Sequence, residues 1–179
     1  MKTPNGFATQ GPFFWTQSKV LRREYQLKKG NETLGQLRFE KSYGSLASAE
    51  VASQCWTFKR EGFLRPRVNV RAPNSEANLA IFWPNWSAGG VVEFPDGRRI
   101  HWRSTSFWAS EWSFVQDDNR QLVRFKQHGG FMKISARIEF GSAGTDLREL
   151  PMLAALGWYL MLITAEDAAT ISVIVATNG

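Results

Sequence analysis

The sequence predicts a mainly β protein: a closed antiparallel barrel of about twelve strands around a C-terminal hydrophobic helix. Three observations carry this. Short alternating runs bounded by Gly, Pro, Asn and Asp recur from Pro12 to Phe140 at roughly 8–12-residue spacing, the pattern of an all-β chain. The uncharged run Leu150 to Ala165, LPMLAALGWYLMLITA, is apolar on nearly every side, and such a helix must be enclosed by protein or sit in a bilayer. A sheet with this many strands is relieved of its exposed edges by closing on itself. The rival architecture is a two-sheet sandwich with the helix outside, which would need a polar stripe along the helix.

Met1 to Gly11 reads as a loose arm with Pro4, Gly6 and Gly11, and residues 12–179 as a single domain. Pro12 to Gln17 opens the strands with Phe13, Phe14 and Trp15. In Leu21 to Lys28, Leu21, Tyr25 and Leu27 share a face with Arg23, opposite Arg22, Glu24, Gln26 and Lys28. Lys29-Gly30-Asn31-Glu32 is a hairpin turn. Thr33 to Glu40 points Leu37 and Phe39 inward, and Leu46 to Ala52 follows. Gln54 to Arg60 alternates Trp56 and Phe58 with Thr57 and Lys59. Leu64 to Arg71 sets Val68 and Val70 against Arg65, Arg67 and Arg71, and Pro66 marks an edge or a bulge.

After the turn Ala72-Pro73-Asn74-Ser75, the strand Ala77 to Trp83 is apolar on both faces, as if covered twice. Val91 to Phe94 and Arg98 to Arg103 flank the tight turn Pro95-Asp96-Gly97; Ile100 and Trp102 oppose Arg99, His101 and Arg103. Glu111 to Gln116, Gln121 to Gln127 and Met132 to Phe140 complete the series. Asp117-Asp118-Asn119 and His128-Gly129-Gly130 are their turns.

The helix is expected over about residues 147–164. Pro151 fits its first turn, Thr145 or Asp146 can cap it, and Glu149 completes a capping box with Asp146. Glu166 and Asp167 sit badly at a helix C-terminus, so the helix is expected to end or bend near Thr164. The tail Ala168 to Ala176 suits a final strand or a packed helical extension. A span needs about 20 apolar residues, and two carboxylates in hydrocarbon would cost about 2.5 kcal/mol or more each. Burial in protein is therefore expected, with no integral membrane span.

Composition bounds the function. A hydrophobic content of 43% is ordinary for a globular domain, and 13% aromatics, with eight Trp, supply bulk for a barrel interior. One cysteine, Cys55, permits no internal disulfide and no cysteine metal cluster. The N-terminal residues hold no apolar core of signal-peptide length, so the expected location is cytoplasmic. A net charge of +6 favours acidic partners, such as nucleic acid or anionic lipid headgroups, or serves only as a solubilising surface.

Many short strands followed by a hydrophobic helix, carried by LGQLRFEKSYGS (Leu34 to Ser45), FPDGRR (Phe94 to Arg99) and LPMLAALGWYLML (Leu150 to Leu162), resemble the tubby C-terminal-like superfamily. That group includes tubby proteins, phospholipid scramblases and LURP-one-related proteins, and the resemblance covers about residues 12–165. It implies a barrel filled by its helix, and phosphoinositide binding on the barrel surface in some members. The calcium-binding segment and the palmitoylated cysteine cluster of scramblases have no counterpart in this sequence.

No catalytic constellation stands out, and the expectation is a non-enzymatic module without metal or cofactor. His101 lies mid-strand and His128 in a turn, neither with a metal-ligand partner at useful spacing. Cys55 reads as a small core or interface residue, and Asp117 and Asp118 as a polar turn. Gly89-Gly90 and Gly129-Gly130 are not phosphate loops, since no helix follows.

The candidate site is basic. Arg65, Arg67 and Arg71 form one outward stripe, and Arg99, His101 and Arg103 another. If the two strands are neighbours, the stripes merge into one cationic patch for anionic phospholipid headgroups at a membrane surface, with Trp86 or Trp108 nearby. The plain alternative is a solvated exterior with unlinked arginines. Other functions consistent with the chain are a protein-interaction scaffold using exposed Trp and loop residues, and a carrier of a small apolar ligand. Nucleic acid is disfavoured, since no stacking platform or recognition helix is visible.

Overall fold

A computed structural model describes residues 11–19, 22–87, 89–106, 110–128, 134–142 and 147–177. Twelve strands are present: β1 (Phe13–Gln17), β2 (Glu24–Lys29), β3 (Glu32–Phe39), β4 (Ala47–Val51), β5 (Gln54–Glu61), β6 (Arg67–Arg71), β7 (Asn78–Pro84), β8 (Gly90–Glu93), β9 (Arg99–Ser104), β10 (Glu111–Val115), β11 (Gln121–His128) and β12 (Ser135–Phe140). Each pairs antiparallel with its neighbours in the chain, and β1 pairs with β12, Phe13 opposite Ile138 and Trp15 opposite Ala136, to close the barrel. This is the architecture the alternation predicts, and it replaces the sandwich.

The inward positions follow the two-residue period. Trp15, Leu27, Leu37, Val51, Phe58, Val70, Phe114, Phe125 and Ile138 have essentially no exposed surface. They meet α1 (Leu150–Thr177), whose residues from Leu150 to Leu160 are all buried. Leu150 to Thr170 is long and apolar enough to span a membrane by composition, but 67% of its most apolar stretch is buried inside the protein. Trp15 donates from Nε1 to the Ala154 carbonyl at 3.0 Å and stacks parallel to Trp158, ring centres 6.2 Å apart. Tyr159 stacks on Phe39, and its hydroxyl donates to the Ser45 carbonyl at 2.7 Å. Gly157 lets the helix lie close to β10 and β11: a Cβ there would stand 2.4 Å from Phe125 Cζ.

Three expectations need correction. The helix starts at Leu150, after a turn over Arg148 and Glu149, and it neither ends nor bends at Thr164 but continues to Thr177. The reason lies in two inward-facing rim residues. Arg23 Nη2 donates to Glu166 at 2.6 Å, and Arg60 engages both oxygens of Asp167 at 2.5 and 3.1 Å. The carboxylates that oppose the helix dipole are thereby neutralised where the helix leaves the barrel. The strand β7 is not covered twice: Leu79 is exposed, and Ile81 and Trp83 are shielded only in part, Trp83 having the Arg67 guanidinium 5.8 Å from its ring centre. Cys55 is not a core residue; it is exposed on the outer face of β5. The proposed caps Thr145 and Asp146, the residues Met1 to Gln10 of the arm, Leu21, Trp108, Met132 and the Gly129-Gly130 turn lie outside the described residues.

The barrel has two unlike ends. At the base, where α1 enters, sit the β2–β3, β4–β5, β6–β7, β8–β9 and β10–β11 turns. At the mouth, where α1 leaves, sit the β1–β2, β3–β4, β5–β6, β7–β8 and β9–β10 connections. Beyond Ile163 the helix runs on for about 20 Å. Glu166 to Thr170, Ser172 and Ala176 along it are exposed.

Candidate functional site at the barrel mouth

The two arginine stripes do not merge. The strands carrying them, β6 and β9, are separated by β7 and β8, about 14 Å of sheet. Most of the predicted residues are engaged at the base. Arg71 pairs with Glu76 and donates from Nε to Asn78 at 2.8 Å. Arg99 lies 3.6 Å from Glu93, His101 Nε2 lies 2.7 Å from Asp117 Oδ1, and Arg103 donates to Asn119 at 3.0 Å. Arg65, in the β5–β6 loop, and Arg67, the first residue of β6, belong instead to the mouth.

Three tight connections present large apolar side chains at that mouth, and each is held for a physical reason. In the β3–β4 loop, Gly44 takes φ of 95°, and Arg23 donates to the Lys41 and Gly44 carbonyls at 3.2 and 2.8 Å. Tyr159 fastens Ser45 from within, and the loop displays Tyr43. In the β5–β6 loop, Gly62 takes φ of 88°, where a Cβ would stand 2.3 Å from the Arg65 carbonyl oxygen; the loop displays Phe63 and Leu64. In the β7–β8 loop, Asn85 Oδ1 accepts from the Ser87 amide at 3.1 Å and its hydroxyl at 2.8 Å, an Asx turn that displays a fully exposed Trp86. Sequence reasoning singled out Trp86. It missed Tyr43, Phe63 and Leu64, whose signal was that alternate loops of a meander share one end.

Charge is divided between the ends as well. The described mouth loops carry Lys19, Arg22, Arg23, Lys41 and Arg65 against the single acid Glu40. The base turns carry Glu76, Asp96, Asp117, Asp118 and Glu149 with Arg98, Arg120 and Arg148. Pairing at the base is internal. The Arg98 guanidinium bridges Asp96 and Glu149 at 2.7 and 2.6 Å, and its pKa is raised by those hydrogen bonds, Glu149 first. The Arg120 backbone and side chain hold the Asp118 carboxyl below its ordinary range. At the rim, the hydrogen bond that Arg60 donates to Asp167 raises the Arg60 pKa, and burial pushes the Tyr159 hydroxyl well above its usual value.

Beside the emerging helix a crevice of about 250 Å³ opens at the mouth. Val68, Phe82, Trp102, Leu160 and Ile163 line it, with Thr164, Arg67 and the Arg60–Asp167 pair at its edge. Among the described residues no group of three or more His, Cys, Asp or Glu converges to hold a metal ion. Comparison with protein-family models, with curated proteins and with solved structures returns no match.

Proposed function

We propose that the chain is a non-enzymatic, tubby-like binding module that docks on an anionic membrane surface with the mouth of the barrel. The observation that carries this reading is a coincidence at one end. Tyr43, Phe63, Leu64 and Trp86 are displayed on three fastened loops among Lys19, Arg22, Lys41 and Arg65, around a projecting helix of sequence AATISVIVAT (Ala168 to Thr177). Exposed large apolar side chains gathered at one place mark an interaction surface. Trp and Tyr favour the headgroup level of a bilayer, and each nearby basic residue adds about 1 kcal/mol at an anionic leaflet. The acidic base, turned away, suits one orientation. The barrel filled by its own helix is the layout the tubby resemblance implies.

Sedimentation with zwitterionic and with anionic vesicles tests the reading. Pelleting with anionic vesicles that weakens as salt rises is expected. Pelleting that does not depend on vesicle charge, or none at all, rejects it.

A further inference from the structure

We propose that the membrane-contacting surface continues from the mouth down the outer wall of β7, so that the barrel docks tilted, on its β7–β8 side. This rests on the membrane reading and adds to it a second surface and an orientation. Among the described residues, β7 alone turns apolar side chains outward along its whole length: Leu79, Ile81 and Trp83. Val91 of β8, opposite Trp83, widens the stripe. Its upper end runs into the β7–β8 loop with Trp86, next to the β5–β6 loop with Phe63 and Leu64. A contiguous apolar patch rimmed by polar residues marks a contact surface.

Charge selects the bilayer as the occupant. The two arginine stripes, which do not merge, stand on either side of this apolar one. Arg67 on β6 lies against the Trp83 ring, and Arg103 on β9 donates to the neutral Asn119; neither has an ion pair among the described residues. The acid within the stripe, Glu93, lies toward the base beside Arg99. An apolar strip edged by uncompensated guanidinium groups complements an anionic leaflet, whose acyl region takes the strip and whose phosphates take the cations.

The projecting helix requires the tilt. Asp167, held by Arg60 of β5, is followed by residues 168–177 of α1, a further rise of about 15 Å. The β5–β6 loop, residues 62–66 out and back, reaches at most about 11 Å beyond its strands. An upright barrel would therefore meet a flat surface with its helix before its loops. Leaning toward Phe63, Leu64 and Trp86 lays β7 along the headgroups. The wall below Tyr43 turns Gln36, Arg38, Ser48 and Glu50 outward, and gains nothing from the same lean.

Methyl NMR of the full chain on anionic bicelles carrying a nitroxide-labelled lipid tests the orientation. Strong broadening of the Leu79, Ile81 and Val91 methyls is expected, with little at Thr16, which faces outward on β1, directly across the barrel. Leu79→Gln with Ile81→Gln should weaken partition onto anionic vesicles about tenfold, and Arg103→Gln about fivefold. Broadening at Thr16 equal to that at Ile81, or none along β7, overturns the tilt and leaves docking by the mouth intact. Unchanged partition of the folded double variant overturns it as well; if that variant does not fold, the wild-type broadening decides. Shifts of the Leu79 and Ile81 methyls with protein concentration in the absence of lipid make the stripe a contact between copies, and also overturn the proposal. Failure of the wild type to pellet with anionic vesicles removes the membrane reading and the tilt together.

Discussion

The Arg60 guanidinium forks across both carboxylate oxygens of Asp167, 107 residues further along the chain. Together with Arg23 and Glu166 it clasps the helix at the rim. Both pairs are partly open to solvent, so Arg60→Met is expected to cost only about 0.2–1 kcal/mol of global stability. Its local effect is larger. Amide exchange over residues 165–170 should accelerate while β10 and β11 stay protected, as hydrogen-exchange mass spectrometry would show.

Gly157→Ala places a methyl group against Phe125 and Phe114 in a closed interior. Overpacking costs about 1–3 kcal/mol, only partly offset by the roughly 1 kcal/mol by which Ala outranks Gly in a helix. A lower denaturation midpoint is expected, recovered in part by adding Phe125→Leu.

The β4–β5 turn holds two non-glycine residues in the left-handed region, Ala52 at φ 51° and Ser53 at φ 63°. Such a two-residue turn favours Asn-Gly, and the conformation costs other residues about 1–2 kcal/mol each. Ala52→Asn with Ser53→Gly should raise stability by about 1 kcal/mol, read from the shift in urea midpoint.

Several carboxyl groups are held below their ordinary range: Glu111 by the hydrogen bond from Arg124, Asp96 by that from Arg98, and Glu61 by that from Lys59. The unfolded chain takes up these protons first as pH falls. Their contribution is therefore fully present above the ordinary carboxylate pKa of about 4–4.5 and is lost as pH falls through the lower folded values. A plateau near neutrality and an acid limb are expected in the midpoint against pH. Glu111→Gln should make that limb shallower.

At the mouth, Lys41→Gln and Arg65→Gln should each weaken partition onto anionic vesicles by about 1 kcal/mol, roughly a factor of five. Arg71→Gln and Arg99→Gln, whose guanidinia are engaged away from that end, should not. A blue shift of Trp86 emission on vesicle binding, lost in Trp86→Phe, locates the contact.

Local pattern carried most of the wall. All twelve strands were readable because alternation and turn residues act over a few positions. Helix length was not, since the rule against acids near a helix C-terminus is overridden by partners from β2's approach and β5. Even so, Arg23 had already fallen on the face of Tyr25 and Leu27, which is the inner face. The stripes face outward as expected, and the condition on which they would merge is not met: β6 and β9 are three steps apart in a meander, so chain order alone argued against one patch. The mouth cluster depends on which loops share an end, a property of the closed sheet rather than of any one segment.

Because β1 seals against β12 and the filling arrives only afterwards, synthesis makes the container before its contents. A nascent chain halted between Phe140 and Leu150 owns every strand and nothing to wrap, leaving Trp15, Phe58 and Phe114 without their helical neighbours. Maturation is thus deferred until the helix has been made, and a chain cut between Phe140 and Leu150 yields a sticky, aggregation-prone sheet rather than a slightly shortened but working product.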